Sequence, residues 1–370
     1  MPTALVTGCA GFIGSHLVER LLEGDNRVIG IDCFTDYYSR TLKRANIARA
    51  LARHEFTLIE KDIVQMRSFP VVDYVFHMAA QPGVRASWGS NFEIYLRNNV
   101  EATQNLLEFY KKKQIKKFIY SSSSSVYGDA PLPMTEDAHL QPVSPYGVTK
   151  LAAEHLCYLY WKNYNVPIIS LRYFTVYGPR QRPDMAIYRF IKAVLSDEAV
   201  SVYGEGTQTR DFTFINDVLE ALSLAAKTEL CGEAFNIGGG SQISITELIG
   251  RIESITGKKA QVNLVVKQKG DVKDTRADIS KAWTMLGWKP HWQIERGLEE
   301  YVRWCRESRR FRWVTSRCYE NRRLRHRSPH WHEPRVSGKS AGCPIEGGKL
   351  GRLEQSLSRR LLRDIERSQD

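Results

Sequence analysis

The stretch Thr3-Ala-Leu-Val-Thr-Gly-Cys-Ala-Gly-Phe-Ile-Gly14 decides how this 370-residue chain folds. Its first five residues predict a short apolar strand, and the three glycines that follow predict a turn into a helix that reaches about residue 22. A second apolar strand is predicted at residues 27–31 and is followed by Asp32. A strand, a glycine turn, a helix and another strand form the context in which this glycine motif binds the pyrophosphate of a dinucleotide.

Each glycine of this motif has its own physical reason. Gly8 allows the tight turn, Gly11 lets the backbone approach a pyrophosphate, and Gly14 lets the helix pack closely on the strand. The N-terminus of the helix then faces the phosphates. Asp32 lies 18 residues beyond Gly14, where its carboxylate would accept hydrogen bonds from the adenosine ribose and repel a 2′-phosphate. The stretch therefore predicts NAD rather than NADP, with a purely structural glycine turn as the alternative.

Strands and helices continue to alternate after Asp32. Further strands are predicted at residues 56–60, 72–76, 117–121 and 167–171, and a helix is predicted at residues 93–113. Asp62-Ile63 follows the first of these strands, and His77-Met-Ala-Ala80 follows the second. Small residues at a strand end let a cofactor lie against the backbone. The alternation predicts an α/β fold, a Rossmann-type doubly wound parallel sheet.

Five serines, Ser121 to Ser125, follow the predicted strand at 117–121, and Tyr146-Gly-Val-Thr-Lys150 opens a helix predicted to reach about residue 163. Tyr146 and Lys150 are four residues apart and therefore lie on one helix face. A free tyrosine has a pKa of about 10. A neighbouring ammonium and a cationic nicotinamide would favour its phenolate, so that Tyr146 could act as a base. Ser123, at the strand end, could share the proton of the substrate hydroxyl. The alternative interpretation of the Tyr146/Lys150 spacing is an ordinary amphipathic helix without a catalytic role.

Composition excludes several classes of protein. The chain is 42% hydrophobic and 25% charged, and it has no apolar run near the roughly 20 residues that a membrane helix needs. Its first residues enter a strand at once, so no signal peptide is expected. Seven cysteines without metal-type spacing suit a reducing cytosol. We therefore expect a cytoplasmic protein without a metal site or a membrane partner.

The charge is distributed unevenly along the chain. The formal net charge is +12, and residues 309–370 contain 16 Lys and Arg against 7 Asp and Glu. We predict a cofactor domain at residues 1–174, to which segments around 210–237 return, and a smaller interleaved substrate-binding lobe at 175–308. Residues 309–370 are expected to be a disordered basic tail, with an arm for nucleic acid or an acidic membrane as the alternative.

Four stretches carry a resemblance to a known family. They are Asp32-Cys-Phe-Thr-Asp-Tyr-Tyr-Ser39, His77-Met-Ala-Ala-Gln-Pro-Gly-Val-Arg85, Ser121-Ser-Ser-Ser-Ser-Val-Tyr-Gly128 and Arg172-Tyr-Phe-Thr-Val-Tyr-Gly-Pro-Arg-Gln-Arg-Pro-Asp-Met-Ala186. With the glycine motif and the Tyr/Lys pair, the chain resembles the nucleotide-sugar epimerase/dehydratase branch of the extended short-chain dehydrogenase/reductase family over about residues 2–306. Within that branch it is most similar to enzymes that convert UDP-glucuronate to UDP-galacturonate.

The resemblance implies C4 epimerisation with tightly bound NAD through a 4-keto sugar. It implies that the catalytic residues are Ser123, Tyr146 and Lys150. The implied cofactor-binding residues are Gly8, Gly11, Phe12, Ile13, Gly14, Asp32, Asp62, Ile63, Ala79, Ala80, Gln81, Asn99, Tyr146, Lys150 and Tyr173. The implied substrate-binding residues are Arg85, Ser122, Ser123, Thr175, Arg182, Tyr203, Arg210 and Asp271.

Several of these residues discriminate between sugars. Arg182, with Arg85, Ser122 and Thr175, is a candidate for holding a C6 carboxylate, and the alternative for Arg182 is a loop arginine that pairs with Asp184. Arg210 would bind the diphosphate and Tyr203 the uridine. The all-serine run lacks the Asp-Glu pair of dehydratases. Relatives often have arginine in the diphosphate segment where this chain has Gln268-Lys-Gly-Asp271.

The sequence is also compatible with three alternative functions. The protein could be a UDP-glucose 4-epimerase, a UDP-glucuronate decarboxylase or, from a different class, an inactive NAD-sensing scaffold. The helix at 146–163 has apolar residues on more than one side, namely Val148, Leu151, Leu156, Leu159 and Trp161. This pattern predicts a homodimer through the helices around 93–113 and 146–163.

Overall fold

The computed structural model describes residues 1–266 and 268–308. The predicted basic tail at 309–370 lies outside the described residues. The strands are β1 (Thr3–Thr7), β2 (Arg27–Ile31), β3 (Phe56–Ile59), β4 (Tyr74–His77), β5 (Lys117–Ser123), β6 (Ile168–Tyr173), β7 (Thr175–Tyr177), β8 (Val200–Tyr203), β9 (Thr209–Phe214), β10 (Glu233–Ile237), β11 (Gln242–Ser244) and β12 (Val262–Val265).

The helices alternate with these strands. They are α1 (Phe12–Glu23), α2 (Arg40–Asn46), α3 (Ala48–Leu51), α4 (Phe92–Tyr95), α5 (Ala102–Tyr110), α6 (Pro145–Tyr164), α7 (Ala186–Leu195), α8 (Ile215–Lys227), α9 (Ile245–Thr256), α10 (Ser280–Leu286) and α11 (Ile294–Glu307). None of the described helices is long and apolar enough to cross a bilayer.

The central sheet is parallel, and its described strands follow the order β10-β6-β5-β4-β1-β2-β3. Ala4 and Val6 of β1 pack into the core cluster that includes residues of α1 and α8. Leu5, between them, packs into the opposite cluster with residues of α5 and α6. Alternate side chains of one strand therefore enter two cores, which confirms the predicted doubly wound sheet.

The strand order reverses at β1, because β2 pairs on one side of it and β4 on the other. Open α/β sheets bind ligands in the crevice at such a reversal, beyond the carboxyl ends of the strands. The glycine turn at Gly8 follows β1, and Met78 and Ala79 follow β4. The fold therefore places the glycine motif in the crevice where a dinucleotide binds.

Smaller sheets follow the central one along the chain. Strands β7, β9 and β11 form one of them, and β8 pairs in parallel with β12. Strand β10 instead returns to the central sheet beside β6. The boundary predicted at residue 174 stays a prediction.

Three of the differences between the predicted elements and the structure lie at predicted site residues. Strand β5 reaches Ser123, two residues beyond the predicted end, so part of the serine run is sheet. The helix predicted at 93–113 contains a π-helical turn, Leu96–Glu101, and such turns often occur at functional sites. Arg210 and Asp211, for which no strand was predicted, lie in β9 and pair with Ile243 and Gln242 of β11.

Candidate active site

The glycine turn leaves no room for side chains. Gly8 has a φ of +66°, and a Cβ there would lie 2.9 Å from the backbone of Ala79. A Cβ on Gly14 would lie 2.2 Å from the carbonyl oxygen of Gly8. Helix α1 begins directly after this turn, and its unpaired N–H groups favour an anion. The turn is therefore a cradle that fits the pyrophosphate of a dinucleotide.

The Asp32 carboxylate is fixed by the backbone around it. It accepts hydrogen bonds from the N–H groups of Ala10 at 3.0 Å and Phe34 at 2.8 Å. The buried Lys43 lies in the wall of the same cleft and donates to the Thr35 carbonyl at 2.7 Å. Burial lowers the pKa of Lys43, and the charge of Asp32 acts in the opposite direction. Lys43 was not among the predicted site residues, because nothing in its spacing connects it with Asp32.

One cleft brings most of the predicted cofactor residues together, with a lining that runs from the glycine turn to the start of α6. Predicted residues in its wall are Gly8, Gly11, Phe12, Ile13, Gly14, Asp32, Asp62, Ile63, Ala79, Ala80, Gln81, Ser122, Tyr146, Lys150, Tyr173 and Arg182. Asn99 is buried instead. Its side chain accepts from Gln81 N–H at 2.6 Å and donates to the Gln81 carbonyl at 3.1 Å. Asn99 thus shapes the wall by fixing the backbone of Gln81, and Asn98 lines the cleft.

Tyr146 and Lys150 lie in the first turns of α6. The Ser144 hydroxyl caps this helix by accepting a hydrogen bond from Gly147 N–H at 3.1 Å. Lys150 is only 3% exposed, and its ammonium lies 4.5 Å from the centroid of the Tyr120 ring. The helix N-terminus favours negative charge at Tyr146. The local fold therefore places a phenol and an ammonium together in the cleft wall.

The pKa values of this pair depend on burial and on their neighbours. Burial raises the pKa of Tyr146 above its ordinary value, and the hydrogen bond from Ser123 and the charge of Arg182 offset this only in part. Burial lowers the pKa of Lys150 to about 8, although the carboxylate of Glu154 acts in the opposite direction. The phenolate therefore needs further positive charge, such as that of a bound nicotinamide, to act as a base near neutral pH. The arrangement suits the removal of a proton from a hydroxyl group.

The serine hydroxyls have different partners because the pleat of β5 turns successive side chains to opposite faces. Ser121 donates to the Met78 sulfur at 3.0 Å. Ser122 donates to the buried carboxylate of Glu154, so its hydroxyl is already engaged. Ser124 and Ser125 lie beyond the strand end and are half-buried. Five identical residues do not reveal from the sequence where the strand ends.

Arg182 lies in the cleft wall on the loop between β7 and α7. Its guanidinium pairs with Asp184, with two N–O distances of 3.0 Å. Tyr37, from the loop after β2, donates to the same carboxylate at 3.2 Å. The charge of Arg182 acts on Tyr146. Arg182 therefore lines the cleft and also pairs with Asp184, so the two alternatives predicted for it occur together.

The remaining predicted substrate residues form a second group outside the lining of this cleft. Arg85 donates to Asp271 at 2.7 Å and stacks on the Tyr203 ring at 3.9 Å from its centroid. Arg210 donates to the carbonyl oxygens of Val272 and Lys273 at 2.8 and 2.9 Å. Residues separated by more than 180 positions are thereby brought into contact. Thr175, the last of the predicted substrate residues, begins β7 and pairs in register with Phe212 of β9.

Comparison with known proteins agrees with this geometry. Residues 4–238 match the NAD dependent epimerase/dehydratase family. The chain belongs to this family. Together with its similarity to the 4-epimerases described next, this membership shows an NAD-dependent nucleotide-sugar 4-epimerase and confirms the expected enzyme class and cofactor.

Three similar proteins within the family are two curated relatives and one solved structure. The uncharacterized UDP-glucose epimerase YtcB of Bacillus subtilis (strain 168) is 43% identical over 80% of this chain and 96% of that protein. The UDP-glucuronate 4-epimerase of Thermodesulfobacterium geofontis (strain OPF15) is 41% identical over 82% and 96%. The crystal structure of UDP-glucuronic acid 4-epimerase from Bacillus cereus, in complex with UDP-glucuronic acid and NAD, is 46% identical, covers 82% and 99%, and gives a TM-score of 0.79.

Proposed function

We propose that this epimerase converts UDP-glucuronate to UDP-galacturonate. The observation that carries this proposal is the guanidinium of Arg182 in the cleft wall, where its charge reaches Tyr146. A neutral hexose offers no anionic partner for a guanidinium so close to the reacting hydroxyl. A uronate offers a carboxylate, which the planar fork of an arginine binds through paired charge-assisted hydrogen bonds.

The chain's own residues move one proton in this reaction. Tyr146 takes the proton of the sugar's 4-hydroxyl, and Ser123 donates a hydrogen bond that favours the phenolate. Lys150 supplies positive charge beside the phenolate and holds the nicotinamide ribose. NAD⁺, held by the glycine turn, Asp32 and the wall from Ala79 to Gln81, supplies the acceptor for the C4 hydride. The flat 4-keto sugar then turns about its diphosphate, and Tyr146 returns the proton as the hydride is added to the other face.

A uronate introduces a competing reaction. Oxidation at C4 makes the sugar a β-keto acid, which loses CO₂ readily. An epimerase must therefore hold the C6 carboxylate in a geometry that disfavours this cleavage. Arg182 and Thr175 are our candidates, together with the half-buried hydroxyls of Ser124 and Ser125. Ser122, although predicted for this role, is engaged by Glu154.

The second residue group suits the UDP moiety. Arg85 and Arg210 supply positive charge for the diphosphate, and Tyr203 supplies an aromatic face for the uracil. Arg85 pairs with Asp271 and stacks on Tyr203. Both contacts must rearrange if Arg85 turns to a phosphate. We therefore assign Asp271 to holding Arg85 before the substrate binds.

The proposal is tested by the products of the purified protein with UDP-glucuronate and, separately, with UDP-glucose. We expect UDP-galacturonate from the first, without CO₂, and much slower turnover of the second. Chromatography resolves the epimers, and trapping measures CO₂. Release of CO₂ would identify a decarboxylase, and turnover of UDP-glucose alone would overturn the proposal.

A UDP-glucose 4-epimerase is the second candidate. The Arg182–Asp184 pair supports it, because Asp184 alone could compensate the charge of Arg182. An inactive NAD-sensing scaffold is a weaker alternative, since such a protein has no need of the Ser123, Tyr146 and Lys150 arrangement.

We also propose that two copies associate through α6 and the helical segment around α4. Large apolar side chains are exposed there, namely Ile94, Leu96, Val148, Tyr158, Leu159 and Tyr164. Such a surface favours association because burying it removes apolar area from water.

We expect Leu159→Glu to convert a dimer into a monomer, as measured by light scattering. Val71→Glu, at an apolar residue that is 68% exposed elsewhere on the surface, is the control and should stay dimeric. A monomeric wild-type protein would contradict the proposal.

A further inference from the structure

Glu154 continues the helix face that carries Tyr146 and Lys150, because the three residues are spaced four apart along α6. Its side chain is only 8% exposed, and it is not part of the cleft lining. A buried carboxylate one turn from the active-site ammonium has no part in the proton transfer described above. Its contacts indicate what it does.

The partners of Glu154 come from the two strands beneath α6. Arg172 of β6 donates to its Oε1 from Nε at 3.1 Å and from a terminal nitrogen at 2.6 Å, and Nε also donates to Oε2 at 3.2 Å. Ser122 of β5 donates its hydroxyl to the other carboxylate oxygen. The carboxylate therefore fastens the third turn of α6 to both strands.

Arg172 extends these contacts away from the cleft. Its other terminal nitrogen donates to the Tyr127 hydroxyl at 2.8 Å and to the Glu136 carbonyl at 3.1 Å. Tyr127 donates in turn to the side chain of Asn236 in β10 at 2.7 Å. A buried ion pair is costly unless its remaining hydrogen-bonding groups are satisfied, and these contacts satisfy Arg172. The buried Glu154–Arg172 ion pair is therefore part of a hydrogen-bond network that extends from α6 to β10.

The network acts on the active site through two neighbours. Ser122 is adjacent to Ser123, whose hydroxyl lowers the pKa of Tyr146. Because Tyr146 and Glu154 lie on one face of α6, fastening Ser122 to Glu154 limits how far Ser123 can move away from Tyr146. The same carboxylate supplies negative charge one helical turn from Lys150.

We propose that Glu154 and Arg172 are positioning residues, which hold Ser123 and Tyr146 at hydrogen-bonding distance and keep a compensating carboxylate beside the Lys150 ammonium. The proposal rests on the catalytic roles of Tyr146 and Lys150. It does not depend on which UDP-sugar is the substrate.

The charge on Lys150 depends on the groups that face it. Tyr146, Glu154 and Cys157 belong to its own helix, Tyr120 lies under it on β5, and His77 lies on β4. Burial lowers the pKa of His77 to about 3, so it stays neutral. Glu154 is thus the carboxylate that favours the charged form of Lys150. Without it, the uncompensated charge of Arg172 would lower the pKa of Lys150 further.

The deciding variant is Glu154→Gln, which keeps the shape of the side chain and removes its charge. We expect kcat to fall about tenfold to hundredfold with KM nearly unchanged, because the reacting groups are misplaced. We also expect the alkaline limb of the kcat–pH profile to move down by about one pH unit, because Lys150 loses its proton earlier. Circular dichroism and the absorbance of bound NAD check that the variant is folded and loaded.

Two further variants make the result decisive. Glu154→Asp keeps the negative charge and shortens the side chain, so kcat should fall while the alkaline limb of the kcat–pH profile stays in place. If Glu154→Gln does not fold, this variant tests the positioning role instead. Asp217→Asn is the matched control, since Asp217 is a buried carboxylate that accepts from His291 and Trp292 N–H. It should lose stability and keep the wild-type kcat–pH profile.

Folded Glu154 variants with wild-type kcat and pH profile would overturn the proposal. Tyr146→Phe is measured beside them. If that variant keeps wild-type turnover, the catalytic assignment itself is wrong. If it is inactive while the Glu154 variants behave as wild type, only the positioning role fails.

Discussion

Replacing Tyr146 with phenylalanine lowers kcat by about 10² to 10⁴-fold, while the purified protein keeps its NAD. The substitution removes one hydroxyl group, which takes the proton from the sugar. The aromatic ring remains, and with it the contact with the Tyr95 ring, whose centroid lies 6.3 Å away. The glycine turn, Asp32 and Lys150 are untouched, so the cofactor cleft keeps its shape.

Turnover is measured from the ratio of the epimers after chromatography, and bound NAD from the absorbance of the purified protein. Tyr158→Phe is the control, because Tyr158 is an exposed tyrosine of the same helix. It should retain wild-type kcat. Turnover of Tyr146→Phe within a few-fold of wild type would show that another group removes the proton.

Features that depend on a short local pattern were predicted correctly from the sequence. The glycine turn is recognised because only glycine fits at Gly8 and Gly14, where a Cβ would meet backbone atoms. Strands such as β1 and β6 were recognised from their largely apolar segments, which fit strands with both faces buried. Tyr146 and Lys150 lie together because their spacing equals one helical turn.

Features that depend on contacts between distant segments could not be predicted in this way. The π-helical turn Leu96–Glu101 brings Asn99 to the backbone of Gln81, and a helical pattern does not reveal one extra residue in a turn. Strand β9 forms because β7 and β11 lie beside it. The pairing of Arg85 with Asp271 likewise joins residues that only the folded chain brings together.

The serine run shows how strand register decides which partner each hydroxyl meets. Ser122 lies in the cleft lining, and its hydroxyl donates to Glu154 because β5 continues to Ser123. Successive side chains on a strand face opposite sides, so the assignment depends on where the strand ends. Identical residues hide that position from sequence-based reasoning.

Arg182→Ala should weaken the use of UDP-glucuronate far more than that of UDP-glucose. Truncating one partner of a buried, hydrogen-bonded charge pair costs about 2 to 5 kcal/mol, and a loss of about 2 kcal/mol raises KM for the uronate roughly thirtyfold. The neutral sugar has no carboxylate to lose. The side chain of Arg182 is 20% exposed, so solvent screens this interaction only in part and the lower end of the range is expected.

Steady-state KM and kcat for both sugars measure this selectivity. Arg182→Lys, which keeps the charge without the planar fork, should lie between wild type and Arg182→Ala. Arg251→Ala is the matched control, since Arg251 is another ion-paired arginine and contacts Glu247 and Glu295 on the surface. Because Asp184 loses its charged partner in Arg182→Ala, any structural effect of that loss would change KM for the two sugars alike. A selective rise for the uronate therefore identifies a carboxylate contact, whereas an equal rise for both sugars would mean that Arg182 only orders its loop.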